Sequence, residues 1–220
     1  MSTTTPKVAV IGLGNIGKTI AGNLIKGNRE IIIAGRKIED ARSLAKQLGP
    51  LATAEDTASA IVDADIIIMS VWFNVEQELL SQYRDLLKNK IIIDPSNPIA
   101  PDEKGGFRKI IDESESAGEI ISAKIPEETR LVKAFGTLGA ASLQTAAFQG
   151  PEQAVLFYAS NDSSVDKDVE QLIADSGFDP LKVGGIDQSV RIEVFGDLHE
   201  FGKLGKPVAL KEARDKAFNS

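Results

Sequence analysis

No cysteine occurs in the chain. That excludes disulfides, thiolate metal sites and a cysteine nucleophile, and it fits a reducing compartment. Histidine is almost as scarce. His199 stands alone, so neither HExxH nor HxxxH can be assembled. GxSxG is absent as well, and no carboxylates stand at metal-ligating spacing, so no metal site is expected. Positive charge is also short: 25 Lys and Arg face 32 Asp and Glu, a net charge of -7. An acidic surface argues against nucleic acid or an anionic membrane as partner. Long apolar runs are missing too. The longest, Ile66 to Phe73 counted across Ser70, is far too short to span a bilayer. Met1 to Pro6 is polar and lacks the apolar core of a signal peptide. A cytoplasmic protein acting on a small molecule or cofactor is expected, with a homodimer left open.

What the chain does have is apolar residues, 42% of its 220, enough for a sizeable core. They fall into short, continuous, β-branched runs separated by helix-like stretches. Strands are expected at Lys7–Ile11, Ile31–Ala34, near Leu51, and at Ile66–Val71, Ile91–Asp94 and Leu131–Phe135. Continuous rather than alternating runs suit parallel strands covered on both faces. Helices are expected between them, at Lys18–Lys26, Ile38–Leu48, Ala54–Val62, Val75–Leu87 and Ala117–Ile125, and Gly105-Gly106 reads as an exposed loop. The pattern predicts right-handed βαβ crossovers and a doubly wound, mainly parallel α/β sheet, the NAD(P)-binding Rossmann fold.

After Phe135 the texture changes. A strand at Ala154–Tyr158, a helix ending near Asp175 with Gly177 as its stop, and a short strand at Asp179–Val183 are expected. A broken amphipathic stretch follows, from Asp187 to Phe218. The expected division is a core over 7–145 and a small C-terminal α/β cap over 146–220. Ile186, Val190, Val194 and Phe195 recur at helical spacing, which predicts that Ile186 to Phe201 closes over the site. Bulky residues at Ile186 or Ser189 should then hinder the second substrate.

One turn carries most of the functional signal. Val8-Ala9-Val10-Ile11 runs directly into Gly12-Leu13-Gly14-Asn15-Ile16-Gly17. A GxGxxG alone is weak, but here it joins a strand to a helix, the context it requires. Gly12 permits the tight turn, Gly14 lets the backbone approach a pyrophosphate, and Gly17 lets helix and strand pack closely. The second strand ends in Gly35-Arg36-Lys37. NAD-binding chains carry an acid there for the ribose 2′-hydroxyl. An Arg instead pairs with a 2′-phosphate, so the cofactor is expected to be NADP(H).

These pieces resemble the NADP oxidoreductases dependent on the deazaflavin coenzyme F-420. The resemblance is carried by Val10 to Gly17, by Gly35-Arg36-Lys37, by Ile93-Asp94-Pro95-Ser96-Asn97-Pro98 and by Val132-Lys133-Ala134-Phe135-Gly136-Thr137. Ser176 to Pro180 and Arg191-Ile192-Glu193 extend it to the C-terminal part. It implies an NADPH-dependent enzyme that passes hydride to a deazaflavin- or flavin-like acceptor. One departure is visible: members often have Asn where this chain has Gly136. The residues also leave open a carbonyl or imine reductase and a non-catalytic NADPH sensor.

In an open parallel sheet the ligand lies beyond the carboxyl ends of the strands. Candidate cofactor residues there are Gly12, Leu13, Gly14, Asn15, Ile16 and Gly17, then Gly35, Arg36 and Lys37. Val71, Trp72 and Phe73 follow, then Ser96, Asn97 and Pro98, and finally Thr137 and Gly139. Trp72 and Phe73 either wall a ring or pack in the core. Asn97 and Thr137 either bind ribose or carboxamide or simply form turns. Hydride transfer between rings needs proximity and a dry site more than an acid or base. His199 therefore reads as a surface or capping residue, and Lys133 as a stem that packs with its ammonium led to a carboxylate.

Overall fold

The computed structural model describes residues 5–103 and 105–219, so the first four residues of the polar N-terminal stretch lie outside them. Six strands form in the expected places. They are β1 (Val8–Ile11), β2 (Ile31–Ala34), β3 (Ala52–Ala54), β4 (Ile66–Met69), β5 (Ile91–Asp94) and β8 (Arg130–Lys133). The Ile-rich runs of β1, β2, β4 and β5 are buried at every position. Successive side chains feed opposite faces of the sheet. Val8 and Val10 meet one helical layer, and Ala9 and Ile11 meet the other.

With β9 (Val155–Ala159) and β10 (Asp179–Gly184), the sheet has eight strands in the order β10-β9-β8-β5-β4-β1-β2-β3. The six strands from β3 to β8 are parallel. The order reverses between β1 and β4, so a crevice opens at their carboxyl ends. Helices α1 (Asn15–Lys26), α2 (Ile38–Leu48), α6 (Ala140–Thr145) and α7 (Asp166–Asp175) cover one face. Helices α3 (Thr57–Asp63), α4 (Phe73–Gln82) and α5 (Ala117–Ser122) cover the other.

The segment beyond residue 145 contributes to this same sheet. β9 (Val155–Ala159) pairs antiparallel with β8, and β10 (Asp179–Gly184) pairs parallel with β9. The last two strands therefore run against the other six. Helix α9 (Leu210–Phe218) returns to pack Ala213 and Ala217 against Val155 and Phe157.

Several boundaries differ from the sequence reading, for local reasons. Helix α3 starts at Thr57, not Ala54, because the Asp56 carboxylate accepts the amides of Ala58 and Ser59 at 3.0 and 3.1 Å. That is an N-cap. Helix α4 gains Phe73 and ends at Gln82, where a 3-10 turn takes over at Arg84–Leu86. Gly105 and Gly106 sit in the turn of an antiparallel hairpin, β6 (Ile99–Pro101) and β7 (Phe107–Lys109), which the sequence reading missed. Ile186 to Phe201 is not one helix. It holds a 3-10 turn and the four-residue α8 (Ser189–Ile192), and then the chain folds on itself. A Cβ on Gly202 would lie 1.8 Å from the Gly196 carbonyl oxygen. Helical spacing of the apolar residues was real there, but the glycines let the backbone take a tighter path.

Phe157 is fully buried between β9 and α9. Phe157→Ala should cost about 3–5 kcal/mol, read as a lower midpoint of urea denaturation. A loss below about 1 kcal/mol would show that the C-terminal strands are not held as described.

Candidate functional site

The glycine turn has the geometry its sequence implies. Gly12 has φ +101°, a conformation disfavoured for side-chain-bearing residues. A Cβ there would lie 2.1 Å from the Ser70 carbonyl oxygen, and one on Gly17 would lie 1.9 Å from that of Gly12. These two glycines hold α1 against β1 and β4. Gly14 is different. A Cβ on it would meet nothing within 4 Å. The space above it is open, and it begins α1, whose first turn has neither a side-chain cap nor an acid. Free amides and the positive end of the helix dipole face that opening. The turn fits a pyrophosphate.

Gly35 packs on Leu13, whose side chain would lie 3.0 Å from an added Cβ. Arg36 and Lys37 follow, both exposed, and neither is in an ion pair among the described residues. Beside them a cleft of about 620 Å³ is lined by Ile38, Arg42, Ala54, Glu55, Asp56, Ser59 and Asp63. Burial and the nearby Asp63 and Asp56 raise the Glu55 carboxyl above its usual range. This cleft adjoins the adenosine end, not the reacting end.

At the reacting end the side chains divide into a buried layer and an exposed rim. The buried layer centres on Lys133, whose Nζ donates to Asp94 Oδ2 at 2.7 Å and to the Ser96 carbonyl, and lies 3.8 Å from Glu193 Oε1. Asp94 Oδ1 also accepts the Ser96 amide at 2.6 Å, fixing the turn after β5. Glu193 accepts the amides of Ala117 and Gly118 at 2.8 and 2.9 Å, which ties the C-terminal segment to α5. Burial would drive a proton off Lys133, but Asp94 and then Glu193 outweigh it and hold the ammonium above its usual range. Glu76, on the inward face of α4, is fully buried and neither oxygen has a hydrogen-bond partner. Burial first, and then the neighbouring Asp94, push its carboxyl well above the usual carboxylate range. Ser96 Oγ and Thr137 Oγ1 are likewise buried without partners.

His199 is buried, not on the surface. Its Nε2 lies 2.9 Å from the Gly136 carbonyl, which can only accept, and its Nδ1 takes the Phe201 amide at 3.0 Å. Those partners assign a neutral ring protonated on Nε2. Burial lowers its pKa to about 4, with Lys133 adding to the effect and the Gly136 bond opposing it. The same Gly136 carbonyl accepts Asn97 Nδ2 at 3.0 Å, while Asn97 Oδ1 accepts the Val194 amide at 2.7 Å. Asn97 thus joins three segments and keeps one amide hydrogen to spare. A Cβ on Gly136 would lie 2.8 Å from the Pro95 carbonyl oxygen, which accounts for glycine at this position.

The exposed rim is aromatic. Trp72 is 52% exposed and Phe107 51%, with ring centroids 6.5 Å apart. Phe195, at φ +70°, is 49% exposed, and Phe201, against the His199 ring, is 60% exposed. Of the expected ring-walling pair only Trp72 stands at the mouth, since Phe73 turns into the core between α4 and the sheet. Val71 is half-buried above Gly12, while Ser96, Pro98 and Thr137 are buried and Asn15 is exposed. The Gly139 amide is taken by Glu200 Oε1. Ile186 and Ser189 lie inside the molecule. The Ser189 hydroxyl bonds the Ser116 hydroxyl at 2.9 Å and the Ile186 carbonyl at 2.6 Å. Bulk there would disturb α5 before it met a ligand, so the part of the segment that reaches the mouth is Glu193 to Phe201. Glu76 escaped the sequence reading, yet its spacing from Phe73 and Leu80 places it on the inward stripe of α4.

Fold and turn together define a dinucleotide-binding α/β protein. Residues 7–98 match the model of the family described as NADP oxidoreductase coenzyme F420-dependent, and over that region the chain is similar to this family. The chain is 28% identical over 147 residues to the F420-dependent NADP reductase of Methanothermobacter thermautotrophicus, covering 62% of this chain and 63% of that protein. The structure of hypothetical protein SMa0349 from Sinorhizobium meliloti superposes with a TM-score of 0.78 at 27% identity, covering 90% of this chain and 95% of the other. A putative F420-dependent NADP-reductase from Arthrobacter sp. fb24 gives 0.72 at 22% identity, with 84% and 87% coverage, and so shares the fold. The chain spans 36% and 63% of the length of two curated relatives it matches. Among the described residues no helix is long and apolar enough to cross a membrane.

Gly14 and Gly17 should separate on substitution. Gly14→Val should leave the melting temperature nearly unchanged and abolish NADPH binding, whereas Gly17→Val should lower stability outright. A Gly14→Val protein that titrates normally with NADPH would make the turn merely structural. A pH test follows from His199. Its folded pKa lies below the unfolded value, so the unfolded chain takes up more protons between about pH 6.5 and 4. Wild type should lose stability relative to His199→Gln as pH falls through that window, and the two proteins should run parallel above pH 7.

Proposed function

We propose that this protein transfers hydride between NADP(H) and a planar, flavin- or deazaflavin-like acceptor in the cytoplasm. The observation that carries the reading is the pairing of a phosphate-ready turn, open above Gly14, with an aromatic rim at the far end of the same crevice. The α1 amides would hold the pyrophosphate, and Arg36 and Lys37 the 2′-phosphate. NADP(H), when bound, supplies or accepts the hydride. Lys133 and Asp94 fix the Pro95–Pro98 turn, which would support the nicotinamide, and Asn97 ties that turn to Val194. Trp72, Phe107, Phe195 and Phe201 would flank the acceptor and exclude water.

A carbonyl or imine reductase needs a proton donor at the mouth. Neither Lys133 nor His199 serves: the Lys133 ammonium is locked among carboxylates, and the one hydrogen of His199 is already given to Gly136. A planar acceptor bound by ring contacts fits this rim better.

Arg36→Ala should weaken NADPH about ten- to a hundredfold while leaving NADH nearly unchanged, because a charge-assisted phosphate contact contributes roughly 1.5–3 kcal/mol. Equal losses for both nucleotides would remove the 2′-phosphate assignment. Phe201→Ala or Trp72→Ala should raise the KM for a flavin or deazaflavin about three- to tenfold and leave that for NADPH in place. Steady-state NADPH oxidation against a panel of such acceptors reads both effects, and a protein that oxidises NADPH with none of them would favour the sensing role.

A further inference from the structure

Four ionisable side chains lie out of water at the carboxyl ends of the central strands: Glu76, Asp94, Lys133 and Glu193. Three of them are accounted for. Asp94 has the Lys133 ammonium and the Ser96 amide, Glu193 has two amides of α5, and Lys133 has Asp94, the Ser96 carbonyl and Glu193. Glu76 has nothing. It faces Asp94 and Ser96, and the one cation nearby is already committed to Asp94. An ionised carboxylate without a partner is not sustained in such a place, so the group stays protonated. The other charged or titratable groups around it are few. Asp94 comes from β5, Lys133 from β8, and behind Lys133 lie Glu193 and the neutral His199 of the C-terminal segment.

We propose that Glu76 is the proton store of the hydride-transfer site, holding one proton against a neutral nicotinamide and releasing it against a cationic one. The inference rests on the NADP reading given above. Reduction of a planar acceptor by hydride consumes one proton as well: the hydride makes the new C–H or N–H bond, and a proton completes the second. The oxidised ring left behind carries a positive charge. With such a charge bound at this end of the sheet, the Glu76 carboxyl would ionise, its O–H bond supplying the proton and the carboxylate left behind balancing the cation. When the oxidised nucleotide leaves, Glu76 takes a proton back from water. The Ser96 hydroxyl, beside Glu76 at the end of β5, is the group at hand to pass it outward.

Calorimetric titration of NADP+ and of NADPH, each in two buffers of different ionisation enthalpy, counts the protons exchanged on binding. At neutral pH the wild type should release more protons with NADP+ than with NADPH, by up to one per site. The ratio of their dissociation constants should then shift toward NADP+ by as much as about tenfold per pH unit. In Glu76→Gln both differences should vanish. A protein that binds both nucleotides with equal proton counts overturns the inference alone, as does a Glu76→Gln variant that keeps the difference. A protein that binds neither overturns the NADP reading and this inference with it. Should Glu76→Gln fail to fold, infrared difference spectra of the wild type decide. The carbonyl stretch of a protonated carboxyl should disappear on adding NADP+ and persist on adding NADPH, and its persistence in both sinks the idea.

Discussion

Lys133 is the tie on which the reacting end depends. Its ammonium is the one cation among three buried carboxyl groups, and it connects β8, β5, the turn after β5 and the C-terminal segment. An ion pair of this kind is a poor source of net stability, because desolvation takes back most of the Coulomb gain. Its value is directional. Removing one partner strands the others without water, at a cost of about 3–5 kcal/mol, so alternative placements of the Pro95–Pro98 turn or of Glu193 are strongly disfavoured. The energy of the fold comes from the isoleucine-rich sheet, and the ion cluster decides how the loops sit on top of it.

The two ends of the crevice use charge in opposite ways. At the end of β2, Arg36 and Lys37 put exposed positive charge on a chain that is acidic overall. The first turn of α1 carries no acid, whereas that of α2 carries Glu39 and Asp40. Such a contrast steers an anionic ligand to the first helix rather than the second. At the reacting end, charge is buried and internally balanced, and what faces water is aromatic. On the proposed function, one end is built for phosphate and the other for keeping water out.

Much of this was legible in the sequence, and the reasons are physical. Continuous β-branched runs have few alternatives to buried parallel strands, so six strands and the crevice between them followed from pattern alone. Gly12, Gly14 and Gly17 could be read because each has a distinct steric duty. The buried ion cluster was not legible as a cluster, since Glu76, Asp94, Lys133 and Glu193 are far apart in sequence and only the sheet order brings them together. Lys133 was expected to find a carboxylate and did, but through burial rather than by reaching the surface. His199 was misplaced because an acidic, helix-like stretch suggested solvent. Gly196 and Gly202 instead let the chain close tightly enough to carry the ring inside. The hairpin at Ile99–Lys109 lacked the alternating pattern that marks a strand pair, and with it Phe107 was missed.

The reversed direction of β9 and β10 has a consequence for how the rim is set. Because β10 runs against the six parallel strands, it delivers the chain to the wrong end of the sheet, at Gly184. The eight residues from Gly185 to Ile192 must climb back along α5, pinned midway by Ser189 on Ser116, before Glu193 can reach Lys133. That stretch works as a ruler. One residue more or fewer in its helical part would turn everything beyond it by about 100°, carrying Phe195 and Phe201 away from the mouth while the nucleotide turn stayed as it is. If the proposed function holds, acceptor preference is therefore open to change by length as well as by composition, far from the glycine turn.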